Sequence, residues 1–242
     1  YYLNIPTTRS LAVIEKGEKI YREVPIKGAI LTRVAKSHIR FGTFQFLAAH
    51  KDYESMSQLL DYSIERHFQI NKITTNKALG FIEAVMARQI DLIIHWMRVG
   101  FIHGVMNTDN STISGETIDY GPCAFMDQYD FKTVFSSIDA QGRYAFGNQP
   151  TIIQWNLVRL AECLLPLIDK QEKEAIKKAQ ASINKFSDLF NHKWKAMMLS
   201  KIGIETESID DEELINTLLS WMQEKNADCL LYTSDAADDY RG

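Results

Sequence analysis

Two oxygen-rich pairs stand close together in the middle of the chain. Asp109 and Asn110 are adjacent, and Asp119 opens an Asp119-Tyr120-Gly121 turn nine positions later. Hard cations take oxygen ligands, and magnesium on nucleotide phosphates usually takes only one or two from protein. Asn110 and Asp119, brought together by a short hairpin, can supply them. Asp109 beside them can take a proton from an attacking hydroxyl. This is the logic of a kinase catalytic loop followed by its metal-binding turn, although there the catalytic Asp precedes the Asn by several residues and here the two touch. Asp-Asn and Asp-Tyr-Gly also occur in ordinary turns, so spacing alone leaves both readings open.

The elements around these residues follow from periodicity. Ser10–Glu15 and Lys19–Val24 alternate loosely about Gly17, which reads as a β-hairpin turning at that glycine, with Gly28–Val34 as a third strand. Ser37–His50 and residues 53–69 read as helices. The strongest pattern is Lys77–Val99: Leu79, Ile82, Met86, Ile90, Ile93 and Met97 mark one face and Phe81, Val85, Leu92 and Trp96 a second, so the helix is expected to be buried. Gly100 is a natural stop, and the loop of interest begins directly after it. Pro150 suits the first turn of a helix carrying Ile153, Leu157, Leu160 and Leu164, kinked or ended near Pro166. Lys170–Lys185 reads as a charged helix with a solvated face, and Asp210 with Glu213 as a capping pair for a last one.

The wording of the motifs carries more than their spacing. HGVMNTDN followed by TIDYGP resembles the selenoprotein O (YdiU) family of protein adenylyltransferases. So do Ile5-Pro6-Thr7-Thr8-Arg9, the run from Thr32 to Arg40 continuing to Gln45, and Gly142-Arg143-Tyr144 with Gln149-Pro150 and Trp155-Asn156-Leu157. The resemblance covers about residues 1–225 in one order. Phe135–Asp139 departs from the Cys-Asn-His-Ser type sequence of many members.

The resemblance implies an α+β, mainly α, protein-kinase-like fold. Residues 1–44 would be a remnant of the N-lobe sheet and 45–228 a helical C-lobe, with the glycine-rich loop and the nucleotide-contacting Lys of the family lying ahead of Ile5. It implies transfer of AMP from ATP to a Ser, Thr or Tyr hydroxyl of protein substrates, with Mg²⁺ or Mn²⁺. Asn110 and Asp119 would hold the metal, Asp109 would be the proton acceptor, and Arg33 and Arg40 would hold the triphosphate, guanidinium groups matching phosphate oxygens bidentately. A kinase-like phosphotransferase and a non-catalytic pseudokinase are the alternatives. His103, just ahead of the loop, reads as a packed histidine that fixes loop shape.

Composition bounds the rest. The net charge of −4 gives no reason to expect a nucleic-acid partner. No apolar run reaches the length of a membrane span and no signal peptide is legible, so a cytoplasmic location is expected. Cys123 and Cys163 read as small buried hydrophobes rather than a disulfide framework. Residues 229–242 match no part of the family pattern, read as a translated sequencing adapter, and are expected to carry no function. The chain by itself is expected to be a poor enzyme.

Overall fold

The computed structural model describes residues 3–21, 24–68, 76–205 and 208–228. Its elements are β1 (Arg9–Tyr21), β2 (Pro25–Val34), α1 (Phe41–Ala49), α2 (Tyr53–His67), α3 (Lys77–Arg98), β3 (Phe101–Ile102), β4 (Ala124–Phe125), α4 (Gln149–Ile168), α5 (Glu172–Ile183), α6 (Lys185–Lys201) and α7 (Asp211–Glu224). The chain is mainly helical, with two small antiparallel sheets, β1-β2 and β3-β4. The expected helical tail of residue 69 and the segment 229–242 lie outside the described residues.

α3 is the axis of the molecule. Asn76 caps its start by accepting the Leu79 amide at 3.0 Å, and the same side chain donates to the carbonyl ending α4 at Ile168, 2.8 Å away. Phe81, Ile82, Val85, Met86, Ile90 and Ile93 are essentially inaccessible. Burying each such side chain stabilises the fold by roughly 1.5–3 kcal/mol. α4 covers one side of this helix with Ile153, Leu157, Leu160 and Leu164, and α5 and α6 cover another. With its lead-in from Phe146, α4 is long and apolar enough to cross a membrane by length and composition, and half of it is buried in this core. Helix α4 runs through Pro166 and ends two residues later at Ile168, in keeping with an end near that proline.

Several sequence expectations differ from the structure. Gly17 is not a turn: β1 runs through it, and it sits at a register shift between Glu15 and Lys19 with φ +74°. A glycine inside a strand marks a bulge, and the chain reverses between Tyr21 and Pro25 instead. Helix α1 begins at Phe41, not Ser37, because Ile39 and Arg40 pair with the segment 112–113. Asp210 makes no side-chain cap for α7. The next residue, Asp211, accepts the Ser208 amide at 2.7 Å and pairs with Lys195 at 3.3 Å. Helix α5 keeps its charged face in solvent and buries the opposite stripe of Ala175, Ala179 and Ile183.

The β1-β2 hairpin stands apart from this core. Leu11, Val13, Ile14, Ile20, Ile26, Ile30 and Leu31 are all exposed, and within both strands only Gly28 is buried. Its far end nevertheless delivers Arg33 to the loop region.

Candidate active site

The loop after α3 is built by its own amides. Asn107 accepts the N–H groups of Asp109 and Asn110 at 3.1 and 3.0 Å, which fixes a short 3₁₀ turn at Thr108–Asn110. Asn110 donates Nδ2 to the Val105 carbonyl at 2.9 Å. That leaves Oδ1, the end a cation takes. Asp109 is exposed and leans over the start of α1: a Cβ on Gly42 would lie 2.0 Å from its Oδ1. The carboxylate therefore occupies the space that any side chain at position 42 would fill.

The return limb is held from three directions. Gln89 of α3 donates to the Thr112 carbonyl at 2.6 Å, and Trp96 donates to the Thr117 hydroxyl at 2.9 Å. The N-terminal Pro6–Thr8 segment pairs with Thr117 through amides at 2.9 and 3.2 Å, and the Thr7 and Tyr120 hydroxyls meet. His103, fully buried, donates Nε2–H to the Ile118 carbonyl at 2.7 Å, while its Nδ1 accepts the Val105 amide at 3.4 Å. Both ring nitrogens are thereby used by a neutral imidazole. Burial is the main force holding its pKa below the ordinary value, against smaller opposing contributions from the Ile118 carbonyl and Asp119. One ring thus ties the 105 end of the loop to the residue before Asp119.

Asp119 has φ +52°. Outside glycine this left-handed backbone is uncommon, although Asp tolerates it better than most residues, and it clusters at functional sites. Arg33 Nη2 lies 3.1 Å from Oδ1 and Arg40 Nη2 lies 2.7 Å from Oδ2. Arg40 is aimed there by its place opposite Thr112, with the Phe41 amide on the Ser111 carbonyl at 3.0 Å and the Ile113 amide on the Ile39 carbonyl at 3.1 Å. Partly exposed pairs of this kind contribute about 0–1 kcal/mol each, so their significance is positional: two guanidinium groups converge on one anionic point.

The donor chemistry fits a hard divalent cation. A carboxylate has about four lone-pair sites and the two arginines use two of Asp119's. Among the described residues there is no group of three or more His, Cys, Asp or Glu suited to a metal. A carboxylate and an amide oxygen are a donor set for magnesium on nucleotide phosphates, not for zinc.

The family model for protein adenylyltransferase SelO matches residues 1–235. The chain belongs to the SelO family. It is similar to the protein nucleotidyltransferase YdiU of Pelagibacter ubique, 56% identical over 228 residues, which is 94% of this chain and 47% of that protein. It is 56% identical over 236 residues to the YdiU of Alcanivorax borkumensis, covering 98% and 48%, and 55% identical over 226 residues to that of Clostridium botulinum, covering 93% and 46%. The chain thus spans about half the length of the curated relatives it matches.

Two residues of the SelO-family motifs that sequence reasoning left without a role act as braces. Gln149 is fully buried, accepts the His103 amide at 3.1 Å and donates to the Phe101 carbonyl at 3.0 Å. Asn156, seven positions on, donates to the Met106 carbonyl and the Ser111 hydroxyl, both at 2.9 Å. Their signal was present: two amides on the same face of α4 as its apolar stripe, where a polar group requires a partner. Both described cysteines are free, and burial raises the pKa of Cys123 and pushes that of Cys163 up to about 11. Thiols held protonated are packing groups rather than nucleophiles.

Proposed function

We propose that this chain carries the metal and outer-phosphate side of a protein adenylyltransferase site on a protein-kinase-like fold. Residues 1–44 would belong to its N-lobe and 45–228 to its C-lobe. The observation that carries the reading is the convergence of Arg33 and Arg40 on Asp119, a residue in left-handed backbone, on the hairpin that begins at the ordered Asp109–Asn110 turn. Two guanidinium groups that close on a carboxylate can close on phosphate oxygens instead.

Arg33 and Arg40 would hold the outer phosphates of ATP and leave Asp119 free of one or both pairs. Asn110 and Asp119 would hold a magnesium or manganese ion, whose charge offsets that developing on pyrophosphate as it departs. Asp109, leaning over Gly42 at the α1 start, would accept the proton of a Ser, Thr or Tyr hydroxyl on an acceptor protein. That oxygen attacks the α-phosphorus, the bond from α-phosphorus to the bridging oxygen breaks, and pyrophosphate leaves. The geometry asks little of Asp109 as a base, because a loose phosphoryl-type transition state is helped mainly by positioning and charge.

The test is made in a full-length SelO-family protein carrying these residues. With ATP and Mg²⁺, mass analysis should find an adenylyl adduct on protein hydroxyls, and Asp119→Ala should abolish it. Release of ADP with a phosphoryl adduct would replace this reading with that of a phosphotransferase. A parallel reaction with UTP separates an adenylyl from a uridylyl donor.

A further inference from the structure

Helix α3 is apolar on two sides, yet Arg88, Asp91 and His95 form a polar stripe along a third. That stripe faces a cleft of about 610 Å³, closed by Arg66 and His67 from the last turn of α2, by Lys36, and by Ser114 and Gly115 at the tip of the loop. Arg33, Arg40, Asp109, Asn110 and Asp119 do not line it. From the 110–119 hairpin it takes only Ser114 and Gly115.

Its charge is one-sided. Lys36, Arg66 and Arg88 are permanent cations, and Asp91, the carboxylate in the lining, is already paired with Lys193. Glu116, close behind, is buried and occupied: it accepts the Lys36 amide at 2.7 Å and the Ser114 hydroxyl at 3.2 Å. Arg88 is fixed in place, bonded to the His67 carbonyl and lying over the Phe68 ring with 4.0 Å to its centre. His67 Nε2 and His95 Nδ1 are buried with no hydrogen-bond partner among the described residues. Buried polar atoms of that kind are rare unless a ligand or solvent completes them.

We propose that this cleft is a second anion site, which binds the phosphoryl group of a small phosphorylated molecule. Guanidinium and ammonium groups from three elements match the several oxygens of a phosphate dianion, and the volume is that of a small-molecule site. The two imidazoles stand ready as further donors. The site is mechanically joined to the catalytic hairpin. Gly115 has φ +72°, and a Cβ there would meet Arg88 Cβ at 2.8 Å and its carbonyl oxygen at 3.0 Å. The hairpin tip therefore rests on Arg88 itself. Lys36 lies between Arg33 and Arg40 on one connecting segment. A phosphate clamped by Lys36, Arg66 and Arg88 fastens both the segment that carries the phosphate-holding arginines and the hairpin that carries Asn110 and Asp119.

The experiment titrates the 242-residue chain with inorganic phosphate, and separately with ribose 5-phosphate, against chloride at matched ionic strength. Amide NMR shifts of Ser114, Gly115 and Lys36 are the readout. Saturable shifts should appear and persist in Arg33→Ala/Arg40→Ala. They should weaken by roughly tenfold or more, the scale of losing charge-assisted hydrogen bonds, in Lys36→Glu/Arg66→Glu at unchanged melting temperature. Lys36→Gln/Arg66→Gln gives the same reading should charge reversal unfold the chain. Shifts that do not saturate, that vanish with Arg33 and Arg40, or that survive loss of Lys36 and Arg66 would overturn the proposal.

Discussion

Arg33 and Arg40 hold a carboxylate where the proposed reaction places phosphate, and the energetics separate the two roles. As partly exposed ion pairs they add little stability. As phosphate clamps in a full-length protein, each should matter more: Arg33→Ala and Arg40→Ala are expected to weaken ATP binding by about tenfold or more by calorimetry, with a melting shift of no more than about 4 °C. Unchanged affinity in both would remove them from the site. His103 makes the opposite kind of contribution. Its pKa, and those of His67 and His95, lie below the ordinary 6.5, in each case chiefly through burial. The unfolded chain then binds more protons, so this stability is complete above pH 6.5 and is lost as pH falls from there toward the folded values. Melting temperature should drop between about pH 7.5 and pH 5.5 (roughly one unit either side of a free imidazole), and less steeply in His103→Asn. An unchanged slope in that variant would contradict the assignment of His103 as a neutral buried bridge. Residue type and spacing pointed to the acids while leaving ordinary turns open, and the arginines were reached only through the family resemblance. The braces Gln149 and Asn156 stayed hidden because the atoms they serve lie 45–50 positions away.

At the scale of elements, the long helices were legible and the short connections were not. The Lys77–Val99 pattern with its Gly100 stop matches α3, Lys77–Arg98, and the structure adds the Asn76 cap. The start of α1 was misplaced because Ile39 and Arg40 are claimed by a strand-like pairing with 112–113 that no local pattern announces. Gly17 was misread for a related reason: a glycine among alternating residues serves a turn or a bulge equally well. Gly42 shows what such a connection does for the site. Substitution by Ala would place a Cβ 2.0 Å from Asp109 Oδ1. That carboxylate is the far end of a flexible side chain and can swing away. Gly42→Ala should therefore reduce transfer in the full-length protein while the melting temperature stays within about 4 °C. Equal activity would show that Asp109 need not occupy this position.

For the whole molecule, the mainly helical α+β organisation was readable from periodicity, and the family from the order of its motifs. The exposure of β1-β2 on both faces was not: Leu11, Val13, Ile14 and Ile30 are all open. Exposed apolar strands with free edges associate, so this chain should self-associate in a concentration-dependent way by sedimentation. Replacing Val13 and Ile30 with Lys should reduce that association without changing helicity. The measurement that bears most directly on the account is the mass of protein products formed from ATP and Mg²⁺ by a full-length SelO-family protein carrying this chain's residues. The account predicts an adenylyl adduct with pyrophosphate release, absent in Asp119→Ala. A phosphoryl adduct with ADP, or an adenylyl adduct undiminished by Asp119→Ala, would contradict it.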